Sequence, residues 1–186
     1  MLWNEIVSSV CICCSATIFS VSLQMKKKLQ ILFIQLFASV LYIASYLFVV
    51  NINAAATVGA ITASLEMLRL IVFFIIEKYE KLNTRKINLI AMITFSVVLT
   101  VCSIFAWGGW ISFLPLISSI IVSLALGNKN VLIIKIAFII QAVLISTYLF
   151  LMSLWINAAS QVVVFVCSVI GLITYLHKNN KKEVAE

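Results

Sequence analysis

Aspartate is missing from this 186-residue chain, and histidine occurs once, as His177. All six acidic residues are glutamate, and the five glycines are scattered, with no glycine-rich loop of the kind that cradles a nucleotide phosphate. A Ser-His-carboxylate set cannot be assembled at one depth from such an inventory, so neither an enzyme nor a cofactor is expected. Charge is scarce: 10% of residues are charged, 64% are apolar, and the mean hydropathy is +1.20. Soluble domains run near ~45–50% apolar and ~25% charged. So few charges cannot cover the outside of a water-soluble fold, which excludes a soluble enzyme, a disordered tail and a secreted disulfide scaffold. The five cysteines, Cys11, Cys13, Cys14, Cys102 and Cys167, all lie in apolar runs. Cys11-x-Cys13-Cys14 is dense enough to raise a metal cluster, but the one histidine is far away and buried thiols usually act as small hydrophobes. No metal site is expected.

What the chain does have is long apolar runs. A helix that crosses a bilayer needs about 20 residues. Charge, Asn and Gly divide the sequence into seven apolar segments: 6–23, 29–50, 54–76, 87–106, 111–126, 131–154 and 158–176. Lipid offers no partner to an unpaired backbone amide, so all seven are expected to be spanning helices. Met1-Leu-Trp-Asn-Glu5 has no basic stretch, and the apolar run after it lacks a small-x-small exit. That start reads as a retained span, not a cleaved leader.

The net charge of +7 falls in short clusters between the segments, with no basic face or stacking platform, so nucleic acid is not an expected partner. Assigning the connections to alternate sides separates the charge cleanly. One side receives Lys26, Lys27, Lys28, Lys78, Lys81, Arg85, Lys86, Lys129, Lys178, Lys181 and Lys182. The other receives the N-terminus, the Asn51-Ile52-Asn53 turn, the Trp107-Gly-Gly-Trp110 turn and the turn around Trp155, with no Lys or Arg. Short basic loops stay cytoplasmic. The expected topology is a membrane crossed seven times, with the N-terminus outside and the C-terminus in the cytoplasm.

The chain also resembles itself. A shift of 102 lays 23–50 on 125–152 and superposes Tyr46-Leu47-Phe48 on Tyr148-Leu149-Phe150. After a two-residue insertion, Ile52-Asn53-Ala54-Ala55 falls on Ile156-Asn157-Ala158-Ala159, with 14 of 49 paired positions identical. The expected architecture is therefore an all-α membrane protein with two parallel three-helix-bundle repeats. Repeat one is 1–76, a linker helix 87–106, repeat two 111–176, and a basic tail 177–186. Transporters built this way place the site at the repeat interface.

Particular stretches carry a family likeness: 36–50 with its Asn turn, 63–74 with Arg69, 110–119 with Leu114-Pro115-Leu116, and 148–176. On these the chain resembles the YgjV-type bacterial inner-membrane proteins. Its 3+1+3 layout is similar to that of the SWEET and PnuC transporters, the latter also through Trp107-x-x-Trp110. The resemblance implies a transporter-like fold in a bacterial inner membrane more than it implies a substrate. At an outer turn the Trp pair fits either an interfacial anchor or a ligand-stacking pair.

Ionisable groups inside a membrane usually face the bundle interior or a wet cavity. Glu66 and Arg69 are three apart, on one helix face with Gly59, Thr62 and Ala63. They read either as an ion pair that fixes packing or as a substrate or proton site. The last segment repeats the stripe without charge, in Asn157, Ser160, Gln161, Ser168 and Gly171, and Ile170 and Ile173 stand where the repeat has Glu66 and Arg69. Gln35, Ser39, Tyr42 and Tyr46 line a second helix; Gln141 and Tyr148 stand at related turns of its counterpart. Lys135, near an inner end, is expected to snorkel. Candidate pathway residues are Gln35, Tyr42, Glu66, Arg69, Gln141, Asn157 and Gln161; Asn53 and Pro115 are candidate structural residues at turns. The first hypothesis is a facilitated or ion-coupled transporter of a small polar solute. The second is a non-transporting membrane protein, an assembly partner or immunity factor, that uses the same faces for packing. The bilayer is a partner in both, and a homo-oligomer stays open.

Overall fold

The computed structural model describes residues 2–49, 54–105, 110–151 and 155–183. Among them are seven α-helices, one 3-10 turn and no strand. The helices are α1 (Leu2–Ser22), α2 (Lys28–Val49), α3 (Ala54–Lys78), α4 (Arg85–Phe105), α5 (Phe113–Leu126), α6 (Val131–Leu151) and α7 (Trp155–Glu183); the 3-10 turn Trp110–Ser112 precedes α5. Polar residues set the starts. Thr84 accepts a bond at Oγ1 from the Ile87 amide (3.4 Å), and Asn130 accepts at Oδ1 from the Leu132 amide (2.9 Å), capping α4 and α6. Pro115 sits in the first turn of α5, where its missing N–H costs nothing. The expected turn residue Asn53 lies outside the described residues.

Three expected boundaries differ most. The first segment starts earlier, with α1 beginning at Leu2 instead of residue 6. The fifth segment is shorter than expected, because Trp110–Ser112 winds as a 3-10 turn and leaves α5 with 14 residues. The last is longer: α7 starts at Trp155, in the expected turn, and runs through the basic tail to Glu183.

Residues 28–48, 85–102, 131–151 and 157–177 are long and apolar enough to cross a membrane; Ile6–Ser22 and Phe113–Leu126 are apolar but shorter. Large apolar side chains cover the outside: Phe33, Phe37 and Val40 on α2, Ile93 and Val97 on α4, Val166 on α7. Water would not tolerate so large an apolar exterior, and a multi-pass membrane protein is consistent with it.

Neighbouring helices run in alternate directions. α1 packs on α2 and α7, α2 on α3, α3 on α4, α4 on α5, α5 on α6, and α6 on α7. All the short basic connections therefore share one end of the bundle, here called the basic end. The apolar core gathers toward it: Leu23, Leu32, Phe73, Val122, Leu126 and Ile134 are buried together there. Lys28 reaches Glu77 at 3.2 Å, tying the start of α2 to the end of α3, and Asn83 donates to the same carboxylate oxygen (3.3 Å).

Burial does not follow the register of the sequence repeat. Phe33 is 50% exposed, yet its partner at the shift of 102, Lys135, is 2% exposed. A shift of 103 pairs buried with buried instead: Ile31 with Ile134, Leu32 with Lys135, Gln35 with Phe138. One residue is a 100° turn of the helix. Ile170 and Ile173, the aligned counterparts of Glu66 and Arg69, point outward.

Candidate functional site: a polar recess beside Glu66

Ile61, Ser64, Leu68 and Ile75 form the exposed face of α3. At 100° per residue, Glu66 lies on nearly the opposite face, with Ala63, Leu70 and Phe73, which are buried. Yet its side chain is 28% exposed. An inward-facing side chain is accessible only where the neighbouring helices do not close over it, so Glu66 borders an opening between helices, here called the recess. It is the thirteenth of 25 residues in α3, about 18 Å from either end at 1.5 Å per residue.

Arg69, one turn along, is sealed. Its guanidinium is 3% exposed. Nη1 donates to the Ser119 carbonyl (3.0 Å) and to Ser123 Oγ (3.0 Å), both on α5. The Ser123 hydroxyl donates to the same carbonyl (2.8 Å), and the Ser119 hydroxyl to Glu66 Oε1 (3.2 Å). Arg69 Nη2 stands 3.9 Å from that oxygen. Arg69 therefore pins α3 to α5 first and is a loose counter-ion to Glu66 second. Ser119 and Ser123 were not among the candidates. The available signal was three serines, Ser118, Ser119 and Ser123, in an otherwise apolar 14-residue helix, two of them four apart, a spacing that lets both meet one neighbour.

Across the recess, Tyr42 and Tyr46 of α2 share a hydrogen bond between their hydroxyls (3.0 Å), with rings edge to face at 5.1 Å. Both phenols lie close enough to Glu66 and to Tyr148 of α6 to feel them electrostatically. Four helices thus contribute to one polar region. Tyr42, Glu66 and Arg69 come together there, joined by Tyr46, Tyr148, Ser119 and Ser123.

Gln35 shares the inward face of α2 with Tyr42, two turns nearer the basic end. It is fully buried, and neither amide atom has a hydrogen-bond partner among the described residues. Gln141 on α6 and Asn157 and Gln161 on α7 are half-buried, on faces turned away from the exposed sides of their helices. No hydrogen bond links those three to the Glu66 region among the described residues. Pro115 lies at the opposite end of α5 from the basic end. Trp110 is exposed beside Phe113 (5.6 Å between rings), and Trp107 lies outside the described residues. An apolar groove between α3 and α4, lined by Val72, Ile75, Ile90 and Phe95, does not include Glu66.

Toward the basic end the bundle is closed by a second polar node. Lys135 does not snorkel. Its ammonium donates to the carbonyl of Leu23, just past the end of α1, and to that of Gly171 on α7 (3.2 Å), and lies 5.4 Å from the Tyr175 ring. A helix C-terminus has unpaired carbonyls and a partial negative charge, so a lysine side chain that meets one has no need to reach for water. Gln24 Nε2 donates to the Cys167 carbonyl (2.9 Å), and Gly171 lets the backbone of Leu23 come close. Together these contacts join the end of α1 to α6 and α7, and α6 to α7.

No family model matches this chain, and no curated protein or solved structure matches it either.

Proposed function

We propose that this chain is a small-molecule transporter of a bacterial inner membrane, a facilitated or ion-coupled carrier of a small polar solute. In this reading all seven helices span, the basic end is cytoplasmic, and α1–α3 and α5–α7 are two parallel repeats joined by α4. The YgjV-type, SWEET-like and PnuC-like resemblances belong to the same proposal. One observation carries it: Glu66, half-way along α3 and on its inward face, is accessible, while the basic end below it is packed and bridged. That asymmetry is what a carrier open to one side requires, with a site near mid-bilayer between two bundles. Alternating access would then break the Lys135 and Gln24 bridges between α1 and the second bundle and close the tyrosine side. Gln35 adds a buried amide in need of a partner, which a passing solute or water supplies.

One observation favours the alternative, a non-transporting membrane protein: Arg69 is engaged in packing α3 on α5. The two readings part on Glu66→Gln. A thermal-shift screen of purified protein against sugars, nucleosides, vitamins and amino acids identifies a stabilising ligand, whose uptake is then measured in proteoliposomes. A carrier predicts saturable uptake that Glu66→Gln abolishes while the melting temperature holds. A packing role predicts a lowered melting temperature, with any uptake falling only in step with folded protein. No stabilising ligand and no uptake would end the carrier reading.

A further inference from the structure

The two charges at the recess are not equally available. Arg69 is 3% exposed, with Nη1 already donating to the Ser119 carbonyl and Ser123 Oγ. A solute in the recess cannot displace those bonds without separating α3 from α5. Glu66 is the accessible member of the pair, and both of its described contacts fall on Oε1, leaving Oε2 without a hydrogen-bond partner among the described residues. Tyr42 and Tyr46 lie within electrostatic reach of it, with their rings edge to face on each other and hydroxyls that offer further acceptor lone pairs.

We propose that the recess is selective for small organic cations, held by the Glu66 carboxylate and the Tyr42 and Tyr46 rings, with anions refused because Arg69 is sealed behind them. This deepens the carrier reading and rests on it for the solute's passage, but not for its binding. An ammonium or guanidinium group donates to Oε2 through a charge-assisted hydrogen bond, stronger than a neutral one. Its positive charge also sits favourably over an aromatic face. An anion meets the carboxylate first, at a depth where little water screens the repulsion. A neutral solute gains the hydrogen bond but neither charge term.

The test uses three probes of one size and different charge: benzylammonium, benzyl alcohol and benzoate. Each is titrated near neutral pH into the purified full-length protein in detergent, followed by thermal shift and calorimetry. Benzylammonium is expected to bind saturably, benzyl alcohol at least about tenfold more weakly, and benzoate not at all. Glu66→Gln should weaken benzylammonium about tenfold or more. It should still fold, since Arg69 keeps its α5 bonds and the glutamine carbonyl accepts from Ser119. Tyr42→Leu should weaken the cation about two- to fivefold while leaving benzyl alcohol less affected. If Glu66→Gln does not fold, the order of the probes and Tyr42→Leu decide. Benzoate or benzyl alcohol matching benzylammonium, no saturable binding of any probe, or unchanged affinity in the folded Glu66→Gln protein overturns the proposal. A cation bound through Glu66 but never carried into proteoliposomes would sink the carrier reading and leave this inference standing. Carriage of a neutral solute without cation preference would do the reverse.

Discussion

Gly171→Ala probes the closed end of the bundle with a single methyl group. A Cβ at this position would lie 2.6 Å from the Leu23 carbonyl oxygen, 3.2 Å from its carbon and 3.3 Å from Gln24 Nε2. Non-bonded heavy atoms settle near ~3.5–4.0 Å, so the end of α1 must retreat by roughly 1 Å, and backbone cannot swing aside as a side-chain tip does. The retreating oxygen is one that Lys135 bonds, so the methyl also loosens a charged hydrogen bond. Overpacking costs about 1–3 kcal/mol. Alanine's helix propensity returns up to about 1 kcal/mol relative to glycine. Part of a charge-assisted bond, worth about 1.5–3 kcal/mol in full, is lost as well. The net expectation, combining these terms, is about 1–3 kcal/mol of destabilisation. Gly127→Ala is the control: its Cβ would meet the Met92 Sδ at 1.8 Å and Cγ at 2.3 Å, but a flexible thioether can move away. Thermal unfolding of both variants in detergent is the assay. Gly171→Ala should melt below wild type and below Gly127→Ala; equal or higher stability would refute the claim that α1 and α7 meet backbone to backbone.

Arg69→Leu removes both bonds to α5 and is expected to destabilise by about 1.5–3 kcal/mol, with little of that recovered when Glu66→Leu is added, because the ion pair is the looser contact; melting of the single and double variants checks it. Lys135→Met keeps the side chain's bulk and removes both carbonyl bonds, so the α1–α7 contact should loosen. Mass-spectrometric labelling with a thiol reagent should then show Cys167 reacting severalfold faster than in wild type. Reporter fusions after Lys28, Lys86, Lys129 and Glu186 should all report cytoplasm; any one reporting the exterior would remove the seven-span proposal.

Helix existence was legible because apolar runs of this length have few alternatives. Boundaries slipped where a polar or aromatic residue could belong to either state, as at Trp110 and Trp155. The inward placement of Glu66 was legible too, since a charged residue on the exposed face of α3 would meet lipid. What Arg69 bonds to was not. Its partners lie some fifty residues away on α5, one of them a backbone carbonyl, and a carbonyl leaves no mark in the sequence. Lys135 was misread for the same reason: a helix C-terminus 112 residues earlier in the chain offers it carbonyls that composition cannot reveal. The repeat register is a different matter. Identities such as Tyr46 with Tyr148 fixed an alignment of 102, but burial depends on helix rotation, where one residue changes the face.

In the proposed carrier, the recess beside Glu66 opens on the side away from the basic end. A Glu66→Cys protein with Cys11, Cys13, Cys14, Cys102 and Cys167 replaced by serine or alanine presents a single thiol at that depth. A membrane-impermeant thiol reagent is applied separately to each face of the membrane, to intact spheroplasts and to inverted vesicles. Rapid modification from the exterior, little from the cytoplasmic face, and slowing by benzylammonium is the predicted pattern; a thiol that reacts from neither face would contradict the account.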